Sequence, residues 1–168
     1  RHAGTHRGGA TAFAFEITDY VRFGTDNSLL VVVSNSQRND VLPTSTDMNL
    51  YGGIYREAEL IVTDRTAISP LYLGSDGVLP RSVDAAAAEG EAEIHLTSKG
   101  ENTCTVRLDI TDPEGRPVFS RHQRARLDGK PVIVPFSVEN PALWSPDSPS
   151  LYTVTASIGE DSITDRVA

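Results

Sequence analysis

The chain has 168 residues, 39% of them apolar and 7% aromatic, with 15 basic against 23 acidic side chains for a formal net charge of −8. That apolar share suits a folded chain rather than a disordered one. The acidic balance with scattered Lys and Arg argues against nucleic acid, whose phosphates call for clustered cations. No apolar run approaches the roughly 18 residues of a membrane helix, nothing in the chain reads as a signal peptide, and the lone Cys104 excludes an internal disulfide.

Almost every periodic stretch has period two, the mark of strands with one buried face. "FAFEI" alternates Phe13, Phe15 and Ile17, and "NSLLVVV" is a β-branched run suited to a strand buried on both faces. Between them, Thr18, Asp19, Gly24 and Asp26 predict a loop or short helical turn. "DMNLYGGIYREAELI", Asp47 to Ile61, sets Gly52-Gly53 between Tyr51 and Tyr55, with Arg56 beyond. The glycines permit positive φ or a close backbone approach, the tyrosines could pack a corner or face a sugar, and Arg56 could hold a carboxylate in a fork. On the residues alone a structural corner is favoured over a binding site, and both stay open.

A boundary is expected near "TDRTAISP", Thr63 to Pro70, giving domains 1–66 and 67–168, the first too small for an independent sheet domain. In the second, Gly90 interrupts the helix-prone "VDAAAAEGEAE", which therefore reads as a loop leading into a strand. Strands follow in "EAEIHLTS", "NTCTVRLDIT", "RPVFSRHQRARL", "PVIVPFSV", "LYTVTASI" and "DSITDRVA", with turns at "DPEG", "DGK" and "GED". Their spacing near ten residues predicts an all-β, immunoglobulin-like antiparallel sandwich. Cys104 alternates with Val106, Leu108 and Ile110, a buried small hydrophobe rather than a nucleophile. In the proline-rich "ENPALWSPDSPS", Trp144 is expected to pack as an anchor beneath an unpaired chain.

No reactive constellation is visible. Single carboxylates sit in turns or on polar strand faces; His2, His6, His95 and His122 are too dispersed for a zinc site; no G-x-S-x-G, G-x-G-x-x-G or P-loop occurs. No catalytic residue, metal ligand or cofactor is assigned.

Taken in order, "GTHRGGATAFAFEITDYVRFGTDNSLLVVVSN", "DMNLYGGIYREAELI", "AISP" and "ENPALWSPDSPSLYTV" resemble family 2 glycoside hydrolases, the group of bacterial β-galactosidases and β-glucuronidases, across nearly the full chain. The resemblance implies the C-terminal part of a jelly-roll sugar-binding domain, galactose-binding-like, followed by the immunoglobulin-like domain. It also implies a parent enzyme whose catalytic (β/α)₈ barrel is not in this chain. Arg1 in place of an initiating Met fits a fragment. The family's acid/base glutamate follows an asparagine, and this sequence has no Asn-Glu dipeptide, so both catalytic carboxylates are expected elsewhere and the chain is expected to be inactive alone. By the same resemblance Asp47 contacts substrate at the barrel rim, Asn49 is a second candidate, and Arg56 locks the corner. Asn49 stands where a tryptophan follows Asp-Met in the best-known members, which weakens transfer of sodium binding, while "YGGIYRE" favours the β-galactosidase-like branch.

The expected partners are a β-galactoside or related carbohydrate in the whole enzyme and the barrel of the same parent chain, with no nucleic acid and no membrane. Open strand edges in the incomplete first domain invite a homo-oligomer. The expected compartment is periplasmic or secreted, with the cytoplasm as the alternative. The alternative reading is a stand-alone carbohydrate-binding or interaction module, which needs Trp144 and several tyrosines exposed together.

Overall fold

The computed structural model describes residues 1–41, 51–85 and 87–168. They form two compact units, Arg1–Ile61 and Val62–Ala168.

Among the described residues of the second unit there are nine strands. The first, β1 (Thr66–Ile68), falls where the sequence reading placed the domain boundary, and β2 (Val78–Asp84) carries Pro80 and went unpredicted. Next come β3 (Glu89–Ile94) and β4 (Leu96–Ser98), one predicted strand interrupted at His95. They are followed by β5 (Thr103–Thr111), β6 (Pro117–Arg126), β7 (Val132–Ser137), β8 (Tyr152–Ile158) and β9 (Asp161–Val167). Of these, β3, β5, β7 and β8 alternate in burial as their sequences predict. A two-stranded sheet pairs β1 with β4, a three-stranded sheet has the order β2-β3-β7 and a four-stranded sheet β6-β5-β8-β9, with every pairing antiparallel. Because β7 crosses to the other sheet and β8 returns beside β5, the order is that of an immunoglobulin-like sandwich.

The inner faces meet through Val78, Ala92, Ile94, Val132 and Val134 on one sheet and Val106, Leu108, Ile110, Val154, Ala156 and Ile158 on the other. Burial of each large aliphatic side chain contributes about 1.5–3 kcal/mol, the main favourable term in this unit. Cys104 is partly buried against this cluster. Burial and the nearby Glu101 push its thiol above the ordinary value, consistent with a packing role.

β1 and β2 behave as one strand from which residues 69–77 have been looped out. Thr66–Ile68 pairs with β4 and Val78 resumes the same antiparallel register on β3. The gap is closed by Ser69 N–H donating to the His95 carbonyl and His95 N–H donating to the Gly77 carbonyl, both at 2.8 Å. The chain leaves at Ser69 and returns at Gly77, so the two backbones touch. A Cβ on Gly77 would lie 2.4 Å from the Ser69 carbonyl oxygen, and its φ is +77°. Only glycine fits this crossing.

The link from β7 to β8 departs from expectation. Trp144 is 49% exposed rather than a buried anchor, and the Ser145–Ser148 bridge closes a turn directly after it. Tyr152 anchors the link instead: it is 8% exposed, and its hydroxyl accepts the Ala142 N–H at 2.8 Å, in the manner of the tyrosine corner of such sandwiches.

The first unit contains no strand among its described residues, only a 3-10 turn, Thr18–Tyr20, where the loop or helical turn was expected. "FAFEI" and "NSLLVVV" carry β propensity without a ladder: Leu30 is 86% exposed and Val32 85%. A strand exists only through a paired neighbour, and no described segment of this unit supplies one.

Candidate functional site

Asp47 and Asn49, the predicted substrate-contacting residues, lie outside the described residues. The described residues resume at Tyr51. Gly53 has φ +91°, as a tight reversal needs, and a Cβ on Gly52 would press within 3.3 Å of the Asn35 side chain. The Tyr55 hydroxyl donates to the Gly9 carbonyl at 3.0 Å, tying "YGGIYRE" to the "HRGG" loop. These two stretches, 46 residues apart in sequence, thus meet in space. Arg56 finds no hydrogen-bond or ion-pair partner among the described residues, so its locking role stays an expectation. It lines a shallow open depression with Ile54, Tyr55 and Glu57.

Around the "HRGG" loop, His6 stacks on Phe13 at 4.5 Å, Phe13 lies 5.4 Å from Phe15, and the ring of Phe15 covers Gly4. Asp40 accepts from Arg7 at 3.1 Å and from Arg38 through both carboxylate oxygens at 2.7 and 2.8 Å. The Arg38 hydrogen bonds hold the Asp40 carboxyl down at about 2. In the second unit, Asp112 is similarly occupied. Burial works to raise its carboxyl, yet the Arg116 N–H, the Arg116 guanidinium and the Glu114 N–H together hold it below the ordinary range. A general acid in glycoside hydrolysis needs the opposite displacement, upward. Both carboxylates are pinned in ion pairs that brace turns.

One grouping escaped the sequence reading. His95 stacks on Tyr72 from the 69–77 excursion, with centroids 3.4 Å apart, and its Nε2 meets Glu93 Oε1 at 2.7 Å. The strict alternation of "EAEIH", which puts Glu93 and His95 on one strand face, was the available signal. The grouping fastens the excursion to β3. Among the described residues no set of three or more His, Cys, Asp or Glu side chains could hold a metal ion.

Among the described residues, Trp144 does not come together with Tyr51 and Tyr55 within one unit. Tyr51 and Tyr55 belong to the first unit; Trp144 belongs to the second and makes no ring contact there.

The strand order of the second unit defines an antiparallel β-sandwich domain. The model of the glycosyl hydrolases family 2 matches residues 78–168, and the chain belongs to that family. It is 36% identical over 168 residues to a beta-glucuronidase of Bacteroides fragilis, covering 96% of this chain and 24% of that protein. It is 30% identical to a beta-galactosidase of Thermoanaerobacter pseudethanolicus, covering 97% of this chain and 22% of that one. Among solved structures it superposes on Bacteroides uniformis beta-glucuronidase 2, covalently bound to cyclophellitol-6-carboxylate aziridine, with a TM-score of 0.79 at 26% identity. That match covers the whole of this chain and 22% of the other. A putative beta-galactosidase from Bacteroides fragilis gives a TM-score of 0.78 at 26% identity over 98% of this chain and 26% of that one. The chain therefore spans about a quarter of the length of the relatives it matches.

Proposed function

We propose that this chain is the non-catalytic portion of a retaining β-glycosidase, an enzyme hydrolysing O-glycosyl bonds of a β-galactoside or β-glucuronide. In this reading the first unit is the C-terminal part of a jelly-roll domain, the sandwich supports a (β/α)₈ barrel of the same parent protein, and Asp47 lies at the rim of the barrel's pocket with Asn49 beside it. The observation that carries the proposal is the end-to-end match of the chain to about a quarter of a beta-glucuronidase and a beta-galactosidase. Two carboxylates support it from the other side, since Asp40 and Asp112 are displaced downward and engaged by arginine.

Chemistry in such an enzyme needs two carboxylates about 5–5.5 Å apart, one nucleophilic and one proton-donating, and these belong to the barrel. An ionised Asp47 would supply something different: acceptor oxygens for two sugar hydroxyls, a contact that orients substrate without taking part in bond cleavage. The test is turnover of 4-nitrophenyl β-galactoside and β-glucuronide. The chain alone is expected to release no nitrophenol, while the full-length gene product releases it from at least one substrate. Release by the chain alone, or none by the full-length protein from either, would refute the proposal.

A further inference from the structure

Along the outer strand of the four-stranded sheet, Ala125 is buried and Gln123 half-buried toward the interior, which turns Arg124 and Arg126 outward at about 6.7 Å spacing along the strand. Among the described residues β6 pairs only with β5, and its other edge faces β7 of the opposite sheet. Gln123 Nε2 bridges that gap by donating to the Ile133 carbonyl at 3.1 Å. Beside this bridge runs a groove of about 260 Å³, lined by Arg124, Arg126 and Lys130 as well as Ile133. Its single acid, Asp128, is turned into its own hairpin, where it accepts the Lys130 N–H at 3.1 Å.

Three exposed cations therefore converge on one groove of a chain whose net charge is −8. None of the three is in an ion pair among the described residues; Arg124 reaches only the Thr103 hydroxyl, at 3.4 Å. Charges on an edge strand also discourage pairing with other chains, but scattered charges suffice for that and need no concave surface. Guanidinium groups hold carboxylates through paired N–H donors, and the backbone edge of β6 facing β7 adds donors and acceptors for hydroxyls. No aromatic ring lines the groove, so nothing there stacks the bases of a single-stranded nucleic acid.

We infer that the groove between β6 and β7 is a binding site for an anionic carbohydrate chain, a polymer bearing uronic acid carboxylates. The choice of a carbohydrate as the anion's carrier rests on the glycosidase reading above. The site lies within the sandwich unit alone.

The test is affinity electrophoresis of the 168-residue chain through gels containing polygalacturonate, with neutral galactan as the reference polymer. The triple variant Arg124→Gln, Arg126→Gln, Lys130→Gln is compared with Arg1→Gln, Arg22→Gln, Arg65→Gln, which removes the same charge elsewhere. Unchanged far-ultraviolet dichroism keeps the comparison on folded protein. The wild-type chain and the control variant are expected to be retarded by polygalacturonate and not by galactan, with retardation fading as salt rises. The groove variant is expected to bind at least tenfold more weakly. No retardation of the wild type, equal loss in both variants, or equal retardation by a single-stranded oligonucleotide would overturn the inference. A full-length protein that cleaves the nitrophenyl glycosides while its polyuronate binding is absent removes this inference and leaves the glycosidase reading standing. Polyuronate binding without turnover does the reverse.

Discussion

The crossing at Gly77 yields a stability difference that can be worked out in advance. Substituting alanine there adds two separable costs. The positive φ of +77° costs a side chain about 1–2 kcal/mol. The new Cβ would also sit 2.4 Å from the Ser69 carbonyl oxygen, which is backbone and cannot swing aside, an overpacking cost of about 1–3 kcal/mol. Gly129 provides the control: its φ is +81°, yet nothing lies within 4 Å of its Cβ position. Gly129→Ala carries the first cost alone, and the entropy removed from the unfolded chain is common to both variants. Urea unfolding followed by far-ultraviolet dichroism should therefore place Gly77→Ala about 1–3 kcal/mol below Gly129→Ala. With a urea slope of about 1–3 kcal/mol per molar, that is a midpoint roughly 1 M lower. Equal midpoints would refute the view that β1 and β2 are one strand closed over an excursion at Gly77.

Leu108 is fully buried between the sheets, so Leu108→Ala should cost about 2–5 kcal/mol in the same assay, whereas Leu143→Ala, at 60% exposure, should stay within about 0.5 kcal/mol. Asp112 has its carboxyl held below the ordinary range in the fold, so the stability it contributes is complete above the unfolded value near 3.9 and is lost as pH falls through the folded value. Asp112→Asn should destabilise the chain at pH 7, and the gap to wild type should close below pH 4; a gap that stays constant across that range would contradict the ion-pair reading. Cys104 should react with a thiol-specific disulfide reagent slowly at pH 8 and rapidly once urea unfolds the chain, since burial both shields the thiol and raises it.

What was legible in the sequence is what period-two alternation encodes. "NTCTVRLDIT" and "LYTVTASI" place their apolar residues inward as β5 and β8 do, and the turns at "DPEG" and "GED" fall between strands. β1 and β2 were invisible because each is half of a strand: "TAI" is too short to show a period, and Pro80 inside "VLPRSVD" argues against a ladder. The aromatic bulk of Trp144 suggests burial, whereas Trp144 is 49% exposed and Tyr152 takes the anchoring role. The strands expected in the first unit fail for another reason: propensity specifies a surface fit to be paired, and pairing depends on a neighbour. The candidate site came from the resemblance of "DMNLYGGIYRE", not from any geometry the residues could predict. The Tyr55–Gly9 contact that joins this stretch to "HRGG" spans a distance no local pattern reports.

The central claim is that this chain serves a glycosidase by completing a substrate pocket rather than by cleaving the bond. It is tested most directly in the full-length gene product carrying Asp47→Asn, through kcat/KM for the nitrophenyl glycoside it cleaves. Loss of one charge-assisted hydrogen-bonding group, about 1.5–3 kcal/mol, predicts a fall of roughly 10- to 150-fold, with the pH dependence of kcat unchanged because the barrel's carboxylates are intact. A kcat/KM equal to wild type would remove Asp47 from the pocket, and a displaced pH profile would place it in the chemistry the account assigns to the barrel.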